Sequence, residues 1–211
     1  MGVPRVFAVF PLESVLLVPG ALLPLHVFEP RYRAMLRDAL AGTGTIGMAM
    51  PRAGHATADE REPPLHPVVG LGRIVRHVPH PDGRADILLE GVARMRIDQE
   101  LPREHAYRVV HAEPLPDAPV ADPGSLAEGL ADLVARVPGV AEEDRARLLG
   151  LPAAASLDAV LLRLPIAARD KHRIHAEPDP ELRLAALHRV LDVITGLRYT
   201  LRLRPGDPRL N

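Results

Sequence analysis

Residues 85–97 alternate strictly by two. Ala85, Ile87, Leu89, Gly91, Ala93, Met95 and Ile97 fall on one side, and Asp86, Leu88, Glu90, Val92, Arg94 and Arg96 on the other. A side-chain period of two belongs to a strand, and a face that is wholly apolar or small has to line a core. Gly91 brings no side chain to that face. A glycine inside a strand marks a bulge or sharp bend, as where a sheet curls toward a barrel. The preceding Pro79-His80-Pro81-Asp82-Gly83-Arg84 is a turn signal, which makes 68–78 the neighbouring strand.

A second constrained stretch runs from Phe10 to Tyr32. Its Pro19-Gly20 step turns the chain between apolar runs, and Glu29-Pro30 ends a strand at 22–28, because the residue before proline is pushed out of the helical region. Pro30 then suits the first position of a helix over 30–41, with Tyr32, Met35, Leu36, Ala39 and Leu40 as one apolar stripe. Further strands are expected at 6–10, 45–50 and 107–112, and an irregular exposed loop at 51–66. Gly42-Thr43-Gly44-Thr45-Ile46-Gly47 matches G-x-G-x-x-G, but it leaves a helix and enters a strand, the reverse of a dinucleotide site. It is read as a helix-ending turn with Gly42 left-handed.

From residue 124 the period becomes helical. Ser125 with Glu128 reads as a capping box for a helix carrying Leu126, Leu130, Leu133, Val134 and Val137. Helices are expected at 142–149, after Ser156 as a cap, at 167–176, and from an Asp179-Pro180 start to about residue 203. On the last helix, one apolar row is Leu184, Leu187, Leu191 and Ile194, and a second is Leu182, Ala186, Val190, Val193 and Leu197. The expected division is a β-rich part over 1–116, a proline-rich linker over 117–123, a helical subdomain over 124–204 and a tail over 205–211. The fold class is α+β, with four to five helices in the C-terminal bundle.

Composition removes several chemistries. With no cysteine there is no disulfide and no thiolate nucleophile or ligand. Lys171 is the single lysine and stands between Asp170 and His172, so no Gly-Lys-Ser/Thr phosphate loop is present in the sequence. A formal net charge of -1 gives no general field toward nucleic acid or membrane. The longest apolar run, 15–25, is broken by Pro19, Gly20 and Pro24 and is too short to cross a bilayer. The amino terminus lacks the pattern of a signal peptide, so cytoplasm is the expected compartment.

The Phe10-Pro11-Leu12 strand, the Pro19-Gly20 turn and Phe28-Glu29-Pro30-Arg31-Tyr32 together resemble the opening of the Lon protease amino-terminal domain family. Val69-Gly70, Asp82-Gly83 and Leu88-Leu89-Glu90-Gly91-Val92-Ala93-Arg94 resemble its second motif block, in the right order. Leu164-Pro165, Lys171 and Asp179-Pro180 fit the family's helical part, while His172 and His175 depart from its usual residues. The resemblance implies a partly open, PUA-like barrel with a helical subdomain, binding protein segments. The family's ATPase motor and serine-lysine peptidase have no counterpart in these residues.

Candidate chemistry is sparse. His77/His80 and His172/His175 are the close histidine pairs, neither with an evident third ligand, and a structural or solvated role is assigned to each. Ser14, Ser125 and Ser156 are the only serines, and no nucleophile elbow surrounds them. No catalytic residue, cofactor or metal is expected. Arg198, Arg202, Arg204 and Tyr199 suit a solvated helix end better than an RNA surface. Glu29, Arg31 and Arg94 suit structural pairing.

The favoured function is a stand-alone, non-enzymatic binder of unfolded or hydrophobic polypeptide or of a protein partner. Leu16, Leu17, Val18, Leu22 and Leu23 are its candidate contact residues, on the ground that both faces of their segment are apolar. The alternatives are a PUA-like RNA-binding module and a small-ligand binder at the junction of barrel and helices.

Overall fold

The computed structural model describes residues 2–52 and 63–202, with side chains through Gly196. Six strands, β1 (Val6–Pro11), β2 (Leu22–Val27), β3 (Thr45–Ala49), β4 (Val68–Pro79), β5 (Ala85–Glu100) and β6 (Arg108–Pro114), surround helix α1 (Pro30–Ala41) in sequence. Five helices follow: α2 (Pro123–Arg136), α3 (Glu142–Leu149), α4 (Ala153–Arg163), α5 (Ala168–His175) and α6 (Pro180–Arg202). The expected α+β class is the one observed. Most of the expected loop (53–62) and the 205–211 tail lie outside the described residues.

Strand order is β2-β5-β4-β3-β1-β6, with a further pairing of β5 to β6. The sixteen residues of β5 make this arrangement work. One edge pairs with β4, while the other pairs with β2 along its first half and with β6 along its last. The sheet thus curls back on itself but stays partly open at β2, which pairs only with β5 among the described strands. Pro24, which lacks a backbone donor, suits such an edge strand.

The bend expected at Gly91 is present and has a cause beyond curvature. Gly72 pairs with Gly91 and Leu71 with Ala93, so Val92 is the extra residue of a bulge. Across this point lies the backbone of Leu17 and Val18. A Cβ on Gly91 would stand 2.0 Å from the Val18 carbonyl oxygen, and one on Gly70 2.0 Å from that of Leu17. The Gly20 N–H donates to the Gly91 carbonyl at 2.8 Å and the Gly91 N–H to the Ala21 carbonyl at 2.9 Å. The 17–21 segment is therefore stitched to the middle of β5.

Two apolar clusters result. Leu17, Val27, Tyr32, Met35, Leu36, Ile46, Met48, Ile87 and Leu89 belong to one, and Phe7, Val9, Val69, Leu71, Met95, Val110 and Ala112 to the other. Strand β1 sends Phe10 to the first cluster and Phe7 and Val9 to the second, so both its faces are covered. On α1 the expected stripe is buried at Tyr32, Met35, Leu36 and Ala39, whereas Leu40 is exposed. The helix ends at Gly42, whose φ is -109°; the left-handed residue is Gly44, φ 68°.

The chain resolves into two compact units. Among the described residues, one unit falls within 1–116 together with 166–176, and the other within 117–165 together with the chain from 177 to 202. In the first, α5 is held to the sheet by two long-range bonds: His172 Nε2 to the Val68 carbonyl at 2.7 Å, and Arg94 Nη1 to the His175 carbonyl at 2.6 Å. Arg94 therefore places its cation at a helix C-terminus, where the macrodipole favours it.

In the second unit α2, α3, α4 and α6 pack together. Asp122, not Ser125, caps α2 by accepting from the Gly124 and Ser125 N–H groups at 3.0 and 3.1 Å. Ser156 is likewise no cap: α4 begins at Ala153, and the buried Ser156 hydroxyl donates to the Leu148 carbonyl. Asp179 does cap α6. Arg183 is 1% exposed and bonds Asp158 at 3.1 Å as well as Asp117. The row Leu184, Leu187 and Leu191 is buried, whereas Leu182 and Val193 of the adjacent row are exposed.

Replacing Gly91 with Ala sets a Cβ against backbone that has no rotamer to escape into, so a loss of at least about 2 kcal/mol is expected, toward the upper part of the overpacking range. Chemical denaturation measures it, and a loss under roughly 0.5 kcal/mol, the level of an indifferent surface change, refutes the close approach. A second expectation concerns pH. Burial pushes the His172 imidazole below its ordinary 6.5, and His66, whose ring lies 4.7 Å away, is lowered by burial as well. Below that value the unfolded chain binds more protons than the folded one, so stability is full above about 6.5 and falls as pH decreases. The denaturation midpoint should drop between about pH 7 and about pH 5.5 with a slope that His172→Gln reduces. An unchanged slope in that variant removes His172 as a cause.

Candidate functional site

The exposed face of β2 gathers side chains that a period of two brings together: Leu22, Pro24 and His26, continued by Phe28 just beyond the strand. Leu22 is 61% and Phe28 58% exposed. Register extends the face across β5 and β4 in three rows: Leu22, Glu90 and Arg73; Pro24, Leu88 and Arg76; His26, Asp86 and Val78. Arg73 and Glu90 satisfy each other at 2.6 Å. The face thus interleaves apolar and charged side chains, beside a strand edge that no described strand covers. Such an edge is a template for another extended chain, which natural proteins ordinarily blunt. Pro24 removes one donor from it.

The five sequence candidates separate here. Leu17 and Val18 are buried, at 1% and 3% exposure, because their segment is drawn over the β4 and β5 glycines and Leu17 joins the core. They are not surface contacts. Leu16 is half-buried, Leu23 is half-buried against the first cluster, and Leu22 stands in solvent. Phe28, His26 and Asp86 were not among the candidates. The signal for Phe28 was the i, i+2 relation of Leu22, Pro24, His26 and Phe28 on one strand face.

At the end of the face nearest the β4–β5 turn, Asp86 accepts from two imidazoles, His26 Nδ1 to Oδ1 at 2.6 Å and His80 Nε2 to Oδ2 at 2.8 Å. Hydrogen bonds from these rings hold the Asp86 carboxyl below its ordinary range. The turn carrying His80 is fixed locally. Asp82 accepts from the Arg84 side chain and N–H, which lowers its pKa to about 2, and His80 N–H donates to the Arg84 carbonyl at 2.8 Å. His80 is therefore joined through Asp86 to the distant His26, and not to His77. His172 and His175 are buried.

A separate cleft of ≈ 230 Å³ in the same unit is lined by Pro64, Leu65, Pro67, Ile97, Glu100, Arg108 and Val110. Its charged pair is self-satisfied, Arg108 Nε meeting Glu100 Oε1 at 2.6 Å. Glu29 pairs with Arg31 at 3.0 Å, and Arg31 lies over the Tyr32 ring at 4.6 Å. The side chains of Arg198, Tyr199 and Arg202, and residue Arg204, lie outside the described residues. No described helix is long and apolar enough to cross a membrane.

A family model described as the ATP-dependent protease La (LON) substrate-binding domain matches residues 6–193. Among curated proteins, Lon protease 1 of Myxococcus xanthus is 25% identical over 199 residues, covering 86% of this chain and 23% of that protein. Lon protease of Dictyoglomus thermophilum is 27% identical over 106 residues, 50% of this chain and 13% of its own length. The chain thus spans less than a quarter of either relative. A crystal structure of a Lon N-terminal domain protein from Xanthomonas campestris matches with a TM-score of 0.63 at 27% identity, covering 87% of this chain and 97% of that one. The N-terminal domain of a Mycobacterium avium complex Lon protease matches with a TM-score of 0.67, covering 89% and 98%; its 16% identity speaks for the fold alone.

The placement of the leucines has a direct consequence for mutagenesis. Leu17→Asp buries an unpaired carboxylate and should cost about 4 kcal/mol or more, whereas Leu22→Asp at the surface should stay within about 0.5 kcal/mol. Thermal melts of the two variants check this, and equal losses would contradict the burial difference.

Proposed function

Because this chain belongs to the family of the ATP-dependent protease La (LON) substrate-binding domain, we propose that it binds extended polypeptide along the free edge of β2, without unfolding or cutting it. The observation that carries the proposal is the edge of β2 that no described strand pairs with, flanked by exposed Leu22 and Phe28. An extended segment adding to that edge gains main-chain hydrogen bonds, and its alternate side chains reach Leu22, Pro24 and Phe28. Main-chain pairing is indifferent to sequence, so the apolar neighbours set a preference for segments rich in aliphatic and aromatic residues. Such segments are buried in folded proteins and exposed in unfolded ones. The non-catalytic part rests on the absence of a phosphate-loop lysine from these 211 residues.

RNA fits this face less well, since its His26 row presents the Asp86 carboxylate and Arg73 is already paired with Glu90. A small ligand fits the Glu100–Arg108 cleft less well: ≈ 230 Å³ lies below the usual ligand-pocket range, and its charged pair is self-satisfied.

The test is fluorescence anisotropy with a labelled, permanently unfolded polypeptide and with its folded counterpart. The unfolded form should bind and the folded form should not, and Leu22→Asp combined with Phe28→Asp should weaken binding at least about tenfold, or 1.4 kcal/mol. Equal affinity in the double variant removes β2 as the site, and ATP hydrolysis or peptide cleavage by the purified wild type removes the non-catalytic reading.

A further inference from the structure

We propose that His26, His80 and Asp86 form a binding site for a divalent transition metal, with Zn²⁺ as the ion it suits best. The site goes beyond polypeptide binding and does not depend on it. Two imidazoles and a carboxylate are a zinc donor set with a fourth position left for water. Their three ligand atoms all lie within 4.8 Å of one another.

The ligands converge because register places them. His26 and Asp86 are direct cross-strand partners on β2 and β5, and Val78 on β4 pairs with the other side of Asp86. His80, two residues beyond Val78, folds back over the same carboxylate and is held by the Asp82–Arg84 turn. Tetrahedral zinc with bonds of about 2.0–2.1 Å sets its ligand atoms roughly 3.3 Å apart. The present N···O separations are 2.6 and 2.8 Å, so an ion entering between them requires each contact to open by roughly 0.5–0.7 Å. Side-chain rotation at partly exposed positions supplies that movement without disturbing the strands.

Charge favours the same site. Asp86 is the one anionic ligand of the three, and the neighbouring Arg84 is engaged with Asp82. The three side chains therefore present a carboxylate and two ring nitrogens with no guanidinium hydrogen-bonded among them. A second cluster, Asp98, His111 and Glu113, offers similar ligand types. There Arg5 Nη1 already pairs with Glu113 Oε1 at 2.5 Å, so a guanidinium engages one of the three ligands.

The experiment is isothermal titration of ZnCl₂ into the untagged, chelator-treated full chain in phosphate-free buffer. One ion per chain is expected at the high-affinity step. His26→Ala, His80→Ala and Asp86→Asn should each weaken it at least about tenfold, and His111→Ala should leave it unchanged. Because the altered side chains are partly exposed, thermal melts without metal should match the wild type, and the rise in Tm on adding zinc should vanish in the variants. Co²⁺ in place of Zn²⁺ should give the strong visible absorption of four-coordinate geometry. No saturable binding, wild-type affinity in both histidine variants, or loss of binding in His111→Ala instead would each overturn the proposal.

Discussion

The backbone of Leu17 and Val18 lies against β4 and β5 so closely that Gly70 and Gly91 have no room for a Cβ. Much of the first unit depends on this contact. It draws Leu17 over Gly72 and into the core beside Leu89, and it accounts for two glycines that face solvent-excluded backbone and not a turn. The reciprocal bonds of Gly20 and Ala21 with Gly91 then deliver the chain to the start of β2 in register with β5. The exposed face of β2 is thus a consequence of where the preceding loop is pinned. The apolar segment most suggestive of a contact surface in the sequence is instead packed beneath the strands at Leu17 and Val18.

A few buried polar groups play a comparable role. Arg94 reaches the last carbonyl of a short helix, and His172 of that helix reaches the β4 backbone. Within the helical unit, Arg183 stands between two carboxylates. Buried pairs of this kind say little about net stability, since desolvation offsets much of the attraction. They do say where an element belongs, because leaving any one partner alone would bury an unpaired charge or donor. That is how Ala168–His175, helical in pattern like its neighbours, comes to be part of the strand-rich unit.

The strand face is set by strand pairing and not by any local sequence pattern. Leu22, Pro24 and Phe28 are ordinary apolar residues on an exposed strand face, and His26 and Asp86 become neighbours only through pairing of β2 with β5. Close spacing in the chain misdirects here: His77 and His80 look like a pair, yet strand alternation separates neighbours while register joins residues sixty positions apart. The helix caps carry the same lesson at short range. Ser125 and Asp122 both have the chemistry of a cap, and Pro123 at the first helical position decided for Asp122.

From the sequence alone, the order of strands and helices, the turns at Pro19-Gly20 and Asp82-Gly83, the bend near Gly91, the family and the lack of a phosphate-loop lysine were all legible. Each depends on residue chemistry within a few positions or on motifs in a fixed order. Only the tertiary structure decided that Leu17 is core and Leu22 surface, that α5 joins the sheet, and that two histidines meet on one carboxylate. Both faces of the 16–23 segment are apolar, so no local pattern distinguishes inside from outside there; burial is settled by what the rest of the chain brings to each face.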